Sequence, residues 1–318
     1  MNVLVTGGAG YIGSAVTAVL VRNGYGAVRL DTAADPDASL SSFLSVDVRD
    51  RGAVTRALRA HSIEAVVHLA GLIAVGESVK EPLAYWDINV RGALVLLQAM
   101  VDEGVRQIVF SSTAAVYGNP IEIPIPESHP IAPASPYGRS KRAVEEILRD
   151  MSDAGQVRYV ALRYFNAAGS LSGVPGERHQ PETHLIPNVM RAARDGIPVS
   201  LFGTDYPTPD GTAVRDYVHV EDLAEAHVLA LQHLERQGMS DAFNLANSRG
   251  YSVREVVREV ERTLGRTVPA ASSDRRPGDP AILIGSSERA RSILGWRPRH
   301  ETLSGIIDSL VQGSGGRS

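Results

Sequence analysis

A chain of 318 residues with 43% hydrophobic and 21% charged residues can bury a substantial core and is too long for one minimal domain. The net charge of −4, with scattered basic residues, argues against a nucleic-acid partner, and the absence of cysteine rules out disulfides, zinc–thiolate sites and a thiol nucleophile. Val3–Val5 meets Thr6-Gly7-Gly8 at once, leaving no room for an export signal, and no apolar run approaches the ~18 residues of a membrane span. A cytoplasmic protein with no membrane contact and no metal site is therefore expected.

In chain order, short apolar runs alternate with helical patterns. Strands are predicted at Val3–Val5, Ala27–Leu30, Leu44–Val46, Ala65–Leu69, Gln107–Phe110 and Tyr159–Arg163. Helices are predicted near Ile12–Arg22, Arg51–Ala60, Ala84–Glu103 and Tyr137–Met151. Strands that are apolar without alternation belong to a parallel sheet covered on both faces, so the fold class is α/β, a Rossmann-type doubly wound sheet. After Asn166 the texture changes: 170–182 and 203–213 are rich in Gly, Pro, Ser and Thr. Helical windows follow at Leu185–Asp195, Val220–Arg236 and Val253–Leu264. The expected organisation is a dinucleotide-binding domain over 1–166, with about 214–247 returning to it. A smaller α/β domain for the substrate takes 167–213 and 248–312, and 313–318 form a disordered tail.

Gly7-Gly8-Ala9-Gly10-Tyr11-Ile12-Gly13 follows the first strand and opens a helix. Glycines let the backbone approach a pyrophosphate, and the helix start offers free N–H groups and a positive dipole end. The spacing is GxxGxxG, and its position after a strand gives it weight against a plain capping turn. Asp31, ending the second strand, stands where a ribose hydroxyl is held, and it favours NAD by repelling a 2′-phosphate.

Tyr137 and Lys141 stand four apart at a predicted helix start, so they share a face. A phenol with a pKa near ~10 is a poor base, and a nearby ammonium lowers it. Such a pair can take a hydroxyl proton during hydride transfer. In isolation it is more often a solvated helix face. Behind a dinucleotide turn, and after a strand ending in Ser111-Ser112-Thr113, catalysis is the better reading. Thr113 can hydrogen-bond the reacting oxygen, although a strand-end hydroxyl has that position for structural reasons too.

With these stretches in view, the chain resembles the UDP-galactose (UDP-glucose) 4-epimerases, of the extended short-chain dehydrogenase/reductase type, over nearly its whole length. The matching stretches are Thr6–Ser14, His68-Leu69-Ala70-Gly71, Ala74–Ser78, Asn89–Gly92, Ser111–Gly118, Pro136–Lys141 and Arg163–Asn166. The long run Gly203–His219 (GTDYPTPDGTAVRDYVH) and Arg275–Ala281 (RRPGDPA) are the most specific. The resemblance implies reversible oxidation at sugar C4 with bound NAD as hydride acceptor, turnover of the 4-keto sugar in the pocket, and return of the hydride to its other face. It implies that Tyr137, lowered by Lys141 and the nicotinamide charge, is the proton acceptor. It assigns the cofactor to Gly7, Gly10, Tyr11, Ile12, Gly13, Asp31, Asp47, Val48, Leu69, Ala70, Gly71, Asn89, Ser111, Tyr137, Lys141 and Tyr164. It assigns the UDP-sugar to Thr113, Asn166, His184, Leu185, Leu201, Phe202, Arg215, Arg276 and Asp279. Guanidinium groups suit a diphosphate, while each Arg alone could equally be a surface ion pair. His68 reads as a core histidine. A homodimer through the helices near Ala84–Glu103 and Tyr137–Met151 is also implied.

Three positions depart from the family pattern. Ile73 replaces a common lysine near the cofactor phosphates, Thr113 replaces a common serine, and Leu283 lies about where side-chain bulk governs entry of N-acetylated sugars. Related 4,6-dehydratases carry acids directly after the strand-end threonine, where this chain has Ala114 and Ala115. A 4-ketosugar reductase, a non-catalytic NAD-binding module and an epimerase of another nucleotide sugar are the remaining alternatives.

Overall fold

The computed structural model describes residues 1–177, 182–276 and 278–314. The strands are β1 (Asn2–Thr6), β2 (Gly26–Asp31), β3 (Ser42–Ser45), β4 (Ala65–His68), β5 (Gln107–Thr113), β6 (Arg158–Tyr164) and β7 (Asn166–Ala168). They continue as β8 (Val199–Phe202), β9 (Val214–His219), β10 (Asp241–Leu245), β11 (Gly250–Ser252), β12 (Ala270–Ser273) and β13 (Ile282–Leu283). The helices are α1 (Tyr11–Arg22), α2 (Arg51–Ala60), α3 (Val75–Lys80), α4 (Pro82–Tyr85), α5 (Gly92–Asp102) and α6 (Pro136–Asp153). After them come α7 (Leu185–Asp195), α8 (Val220–Arg236), α9 (Val253–Leu264) and α10 (Leu303–Ser314).

Seven strands form the main sheet in the order β10-β6-β5-β4-β1-β2-β3, every pairing parallel. The chain starts in the middle, runs out through β2 and β3, and restarts at β4 on the other side of β1. Between β1 and β4 the winding reverses, and a crevice opens at the carboxyl ends of the strands, where ligands of such sheets lie.

Both faces of the sheet are buried. Val3, Val5, Val67, Val109 and Leu162 pack under α1 and α8, with Trp296 closing the layer through an indole N–H donated to the Asp222 carbonyl at 2.8 Å. Leu4, Val66, Ile108 and Phe110 pack under α2, α5 and α6. Truncating a fully enclosed leucine such as Leu96 costs about 2–5 kcal/mol.

The helix ends follow local chemistry. Ser135 accepts from the Gly138 N–H at 3.1 Å and Pro136 fills the first turn of α6, while Ser252 and Glu255 form a reciprocal capping box on α9. The predicted single helix Ala84–Glu103 is in fact interrupted. A π-helical turn, Trp86–Arg91, separates α4 from α5. Its cause is Asn89, whose side chain is held by Leu72 and Ser140 and so cannot stay in α-helical phase.

The second unit is built on β9, which pairs with β11, β13 and β7, while β8 and β12 form a separate ribbon. Helices α7, α9 and α10 enclose its core around Val189, Val256, Val260 and Ile306. Of the segment 214–247, α8 packs on α1 and β10 extends the main sheet, whereas β9 belongs to the second unit. Residues Ala290, Leu294 and Trp296, read from sequence as part of the second domain, pack into the main-sheet core instead, because their apolar side chains complete the layer over α8. Gly313 and Ser314 of the expected tail continue α10, and the remainder of that tail lies outside the described residues. Among the described residues no helix is long and apolar enough to cross a membrane.

Candidate active site

The turn after β1 is set by two glycines against fixed backbone. Gly7 has φ +71°, and a Cβ on it would lie 2.7 Å from the Ala70 nitrogen. A Cβ on Gly13 would lie 2.1 Å from the Gly7 carbonyl oxygen. Gly10 caps α1 without any side-chain hydrogen bond, so the first-turn N–H groups of Tyr11, Ile12 and Gly13 are left to an external acceptor. Asp31 ends β2 with one carboxylate oxygen accepting from Ala9 N–H at 3.0 Å and the other from Ala33 N–H at 3.0 Å. This side-chain-free cradle with an acid at the neighbouring strand end fits a dinucleotide.

The walls of the crevice come from β4 and the loops beside it. Leu69 and Ala70 follow β4 and are fastened to Thr6. Gly71 stands where a Cβ would meet the Asn89 amide oxygen at 2.8 Å and the Lys141 ammonium at 3.7 Å. Asn89 accepts from Leu72 N–H at 2.8 Å and donates to the Leu72 carbonyl at 3.0 Å and the Ser140 hydroxyl at 3.0 Å. Val48 is buried against Gly92. Asp47 is held by Arg49, which spans to Asp87, and that guanidinium keeps the Asp47 carboxyl below its ordinary range. Tyr11 closes the near side, its hydroxyl donating to the Gly169 carbonyl at 2.5 Å. His68 is a core histidine as expected, hydrogen-bonded through Nδ1 to Thr6 at 2.7 Å, with burial bringing it down to about 3.

At the top of β5 the structure brings Thr113, Tyr137 and Lys141 together. All three are at least nine-tenths buried. Lys141 donates to the Ser111 carbonyl at 2.9 Å and its ammonium lies 5.0 Å from the centre of the Phe110 ring. Tyr137 packs edge-on to Tyr85 at 6.3 Å, and Tyr85 is in turn tied to the Ala74 carbonyl at 2.7 Å and Glu77 at 3.0 Å. Burial raises the Tyr137 phenol above its ordinary value, and the group that draws it back down is the Thr113 hydroxyl. Lys141 is itself brought down to about 8 by burial. Burial thus acts on both groups in the direction of their neutral forms. Tyr164, register partner of Thr113, shares a buried hydrogen bond with His227.

A chain of contacts leads from this set to the second unit. Asn166 follows Tyr164 and donates to the Asp216 carbonyl at 2.8 Å. Next to it on β9, Arg215 pairs with Asp279 at 3.1 Å. The Arg276 guanidinium lies over the Phe202 ring at 3.9 Å, with Leu201 buried behind it. His184 stands at the N-terminal end of α7 ahead of Leu185 without a side-chain capping bond, and its imidazole contacts Glu177. Burial pulls that imidazole down, but the carboxylate prevails and leaves it raised. Leu283 pairs with Arg215 and packs on the small cluster containing Ala114 and Phe165, so it faces the same region as Thr113.

Sequence reasoning overlooked Tyr85, Asp216 and Glu145. Glu145 lies four residues after Lys141 on the buried face of α6, a position where a carboxylate is costly unless paired, and that periodicity was the available signal.

A parallel sheet with a glycine cradle at its switch point and a buried Thr/Tyr/Lys set beside it defines a nicotinamide-dependent enzyme of the short-chain dehydrogenase/reductase type. More narrowly, the chain belongs to the NAD dependent epimerase/dehydratase family, whose profile matches residues 3–246. It is 46% identical to the UDP-glucose 4-epimerase of Halalkalibacterium halodurans over 97% of this chain and 94% of that protein. Among solved structures it is similar to the UDP-glucose 4-epimerase of Brucella ovis in complex with NAD, with a TM-score of 0.93, 42% identity, and coverage of 97% and 96% of the two chains. It is also similar to the Bifidobacterium longum UDP-glucose 4-epimerase in complex with NAD+ and UDP, with a TM-score of 0.94, 38% identity, and coverage of 100% and 99%.

Proposed function

We propose that this chain is a UDP-glucose 4-epimerase that interconverts UDP-galactose and UDP-glucose, and that the residues gathered above are its working parts. The observation that carries the reading is the buried Thr113/Tyr137/Lys141 set between a dinucleotide cradle and an arginine-bearing arm. The cradle of Gly7, Gly10 and Gly13, with Asp31, would hold NAD by pyrophosphate and ribose. NAD when bound supplies a hydride acceptor for sugar C4 and gives the same hydride back. Thr113 and Tyr137 hold the C4 oxygen, and Tyr137 takes its proton and later returns it. Lys141, fixed on the Ser111 carbonyl, keeps a positive charge near the phenol. Arg215 and Arg276 hold the diphosphate, Phe202 and Leu201 the base, and Asn166 the sugar side. Holding the nucleotide end lets the 4-keto sugar turn over without leaving.

The deciding experiment is to incubate the purified protein with UDP-galactose, with and without added NAD. UDP-glucose formed without added NAD supports the reading and a retained cofactor. Activity only with added NAD supports the epimerase and points to Ile73. If neither tube gives product, the hexose assignment fails, and a panel of UDP-pentoses, N-acetylated and deoxy sugars identifies the substrate.

Two further expectations belong to this reading. Ile73 is 40% exposed, directly after Leu72, which Asn89 fastens. Replacing it by Lys puts a cation at the cofactor phosphates, and NAD per chain in the purified, heat-denatured protein should rise; unchanged content would leave Ile73 irrelevant to retention.

The homodimer rests on an apolar stripe. Leu94 and Val101 of α5 are exposed seven residues apart on one helix face, near exposed Leu83 and Trp86. A Leu94→Glu/Val101→Glu variant should run as a monomer by light scattering where the unaltered protein runs as a dimer. Identical masses for both would place any interface elsewhere.

A further inference from the structure

Behind the reacting groups lies a charged assembly that no step above uses. Glu145 is two turns beyond Tyr137 and one beyond Lys141, on the same buried face of α6, and is only 2% exposed. Its carboxylate accepts two hydrogen bonds from Arg163, from Nε at 2.9 Å and from Nη2 at 2.7 Å. It also accepts one from the Ser112 hydroxyl at 2.5 Å. Ser112 and Arg163 are register partners on β5 and β6, so one carboxylate bridges two neighbouring strands. The next register pair along the same two strands is Thr113 and Tyr164.

The assembly continues outward. Arg163 Nη1 donates to the Tyr117 hydroxyl at 2.9 Å, and Tyr117 donates to Asn244 of β10 at 2.7 Å. Asn244 then donates to the Ile125 carbonyl at 2.9 Å, and its backbone N–H donates to Glu127 at 2.9 Å. Apart from Arg163, the nearest charge to Glu145 is Arg142 of its own helix, 3.6 Å away. The apolar contacts of α6 on the sheet, Val144 and Leu148, carry little directional preference, and its other polar anchors, Lys141 on the Ser111 carbonyl and Ser140 on Asn89, lie toward its N-terminal half. A bidentate guanidinium–carboxylate pair is directional, and it fixes both rotation and register.

We propose that Glu145, through Arg163 and Ser112, is the positioning residue that sets α6 against β5 and so aligns the Tyr137 phenol with the Thr113 hydroxyl. It touches neither substrate nor cofactor. The proposal rests on the epimerase reading for its kinetic arm, and on geometry alone for its structural arm.

The test compares the unaltered protein with Glu145→Gln, Arg163→Met and the double variant Glu145→Gln/Arg163→Met. Each single variant strands a buried charge and is expected to lose thermal stability. The double variant removes both charges and is expected to regain most of it. On the proposal, kcat stays down by on the order of 10-fold or more in the double variant, because misplacement of reacting groups by about an ångström has such an effect. KM for the UDP-sugar and NAD content stay within about twofold of the unaltered values. Recovery of kcat together with Tm would make the pair merely structural and overturn the proposal.

The second arm needs no turnover. Crystal structures of the unaltered protein and the double variant should differ in the placement of α6 on β5, and superposable helices would overturn the proposal whatever the substrate. Failure of the unaltered protein to interconvert the two sugars would count against the function, and the structural arm would still decide this inference.

Discussion

Tyr137→Phe is expected to lower kcat by on the order of 10³-fold, within the range of what one positioned proton-transfer group contributes, while NAD per chain stays the same. The substitution deletes one oxygen from a ring packed edge-on to Tyr85 and enclosed by the top of the sheet. The fold therefore has no reason to change. What the variant removes is the phenol oxygen, whose hydrogen-bonding neighbour is the Thr113 hydroxyl. The measurement is single-turnover conversion of UDP-galactose alongside NAD content of the denatured protein. Undiminished conversion would take the proton-transfer role away from Tyr137. Loss of NAD with loss of activity would make the residue a cofactor ligand first.

The second large effect is expected at Gly13. A methyl group there falls 2.1 Å from the Gly7 carbonyl oxygen and 2.9 Å from both the Gly7 carbonyl carbon and the Gly8 Cα, all main-chain atoms. Gly7 cannot retreat, because it is held at φ +71° with Ala70 directly behind it. Gly13→Ala must therefore open the turn, with about 1–3 kcal/mol of overpacking strain, and the N–H groups of α1 lose their convergence. NAD should be absent from the purified variant, and its affinity, measured by calorimetry, should fall at least ~100-fold, a scale of about 2.7 kcal/mol. Normal NAD content with a normal melting temperature would show that the phosphates are held elsewhere.

How much of this could be read from the sequence depends on how local the cause is. α2, α7, α8 and α9 begin and end where the residue pattern places them, because each carries its own cap and apolar stripe. The central strands were legible as unbroken apolar runs, although β5 and β6 extend further than their apolar part, into Ser111–Thr113 and Tyr164. The site legible in advance was the part with short-range spacing, Gly7–Gly13 and Tyr137/Lys141.

What escaped has long-range causes. The π-helical turn at Trp86–Arg91 exists because Asn89 is bound to Leu72 and Ser140, partners that periodicity cannot supply. The short strands β7, β11 and β13 exist because β9 recruits them, and none has enough residues to announce itself. The burial around Tyr137 escaped for a related reason. Spacing revealed its neighbour Lys141 but not how completely both would be buried.

The two faces of the central sheet also differ in when they can be made. The face under α2, α5 and α6 is closed by helices that lie between the strands they cover. The opposite face depends on α8, beginning at Val220, and on Trp296. A ribosome that has translated β1, β4, β5 and β6 has therefore produced a sheet whose Val3, Val5, Val67 and Val109 surface is sheltered only by α1. Until α8 emerges, that apolar surface is open to other nascent chains and is the natural target of a trigger-type or holding chaperone. Slow codons placed ahead of Val220 would prolong this exposure and lower the soluble yield. The same codons placed after Trp296 would leave the yield unaffected.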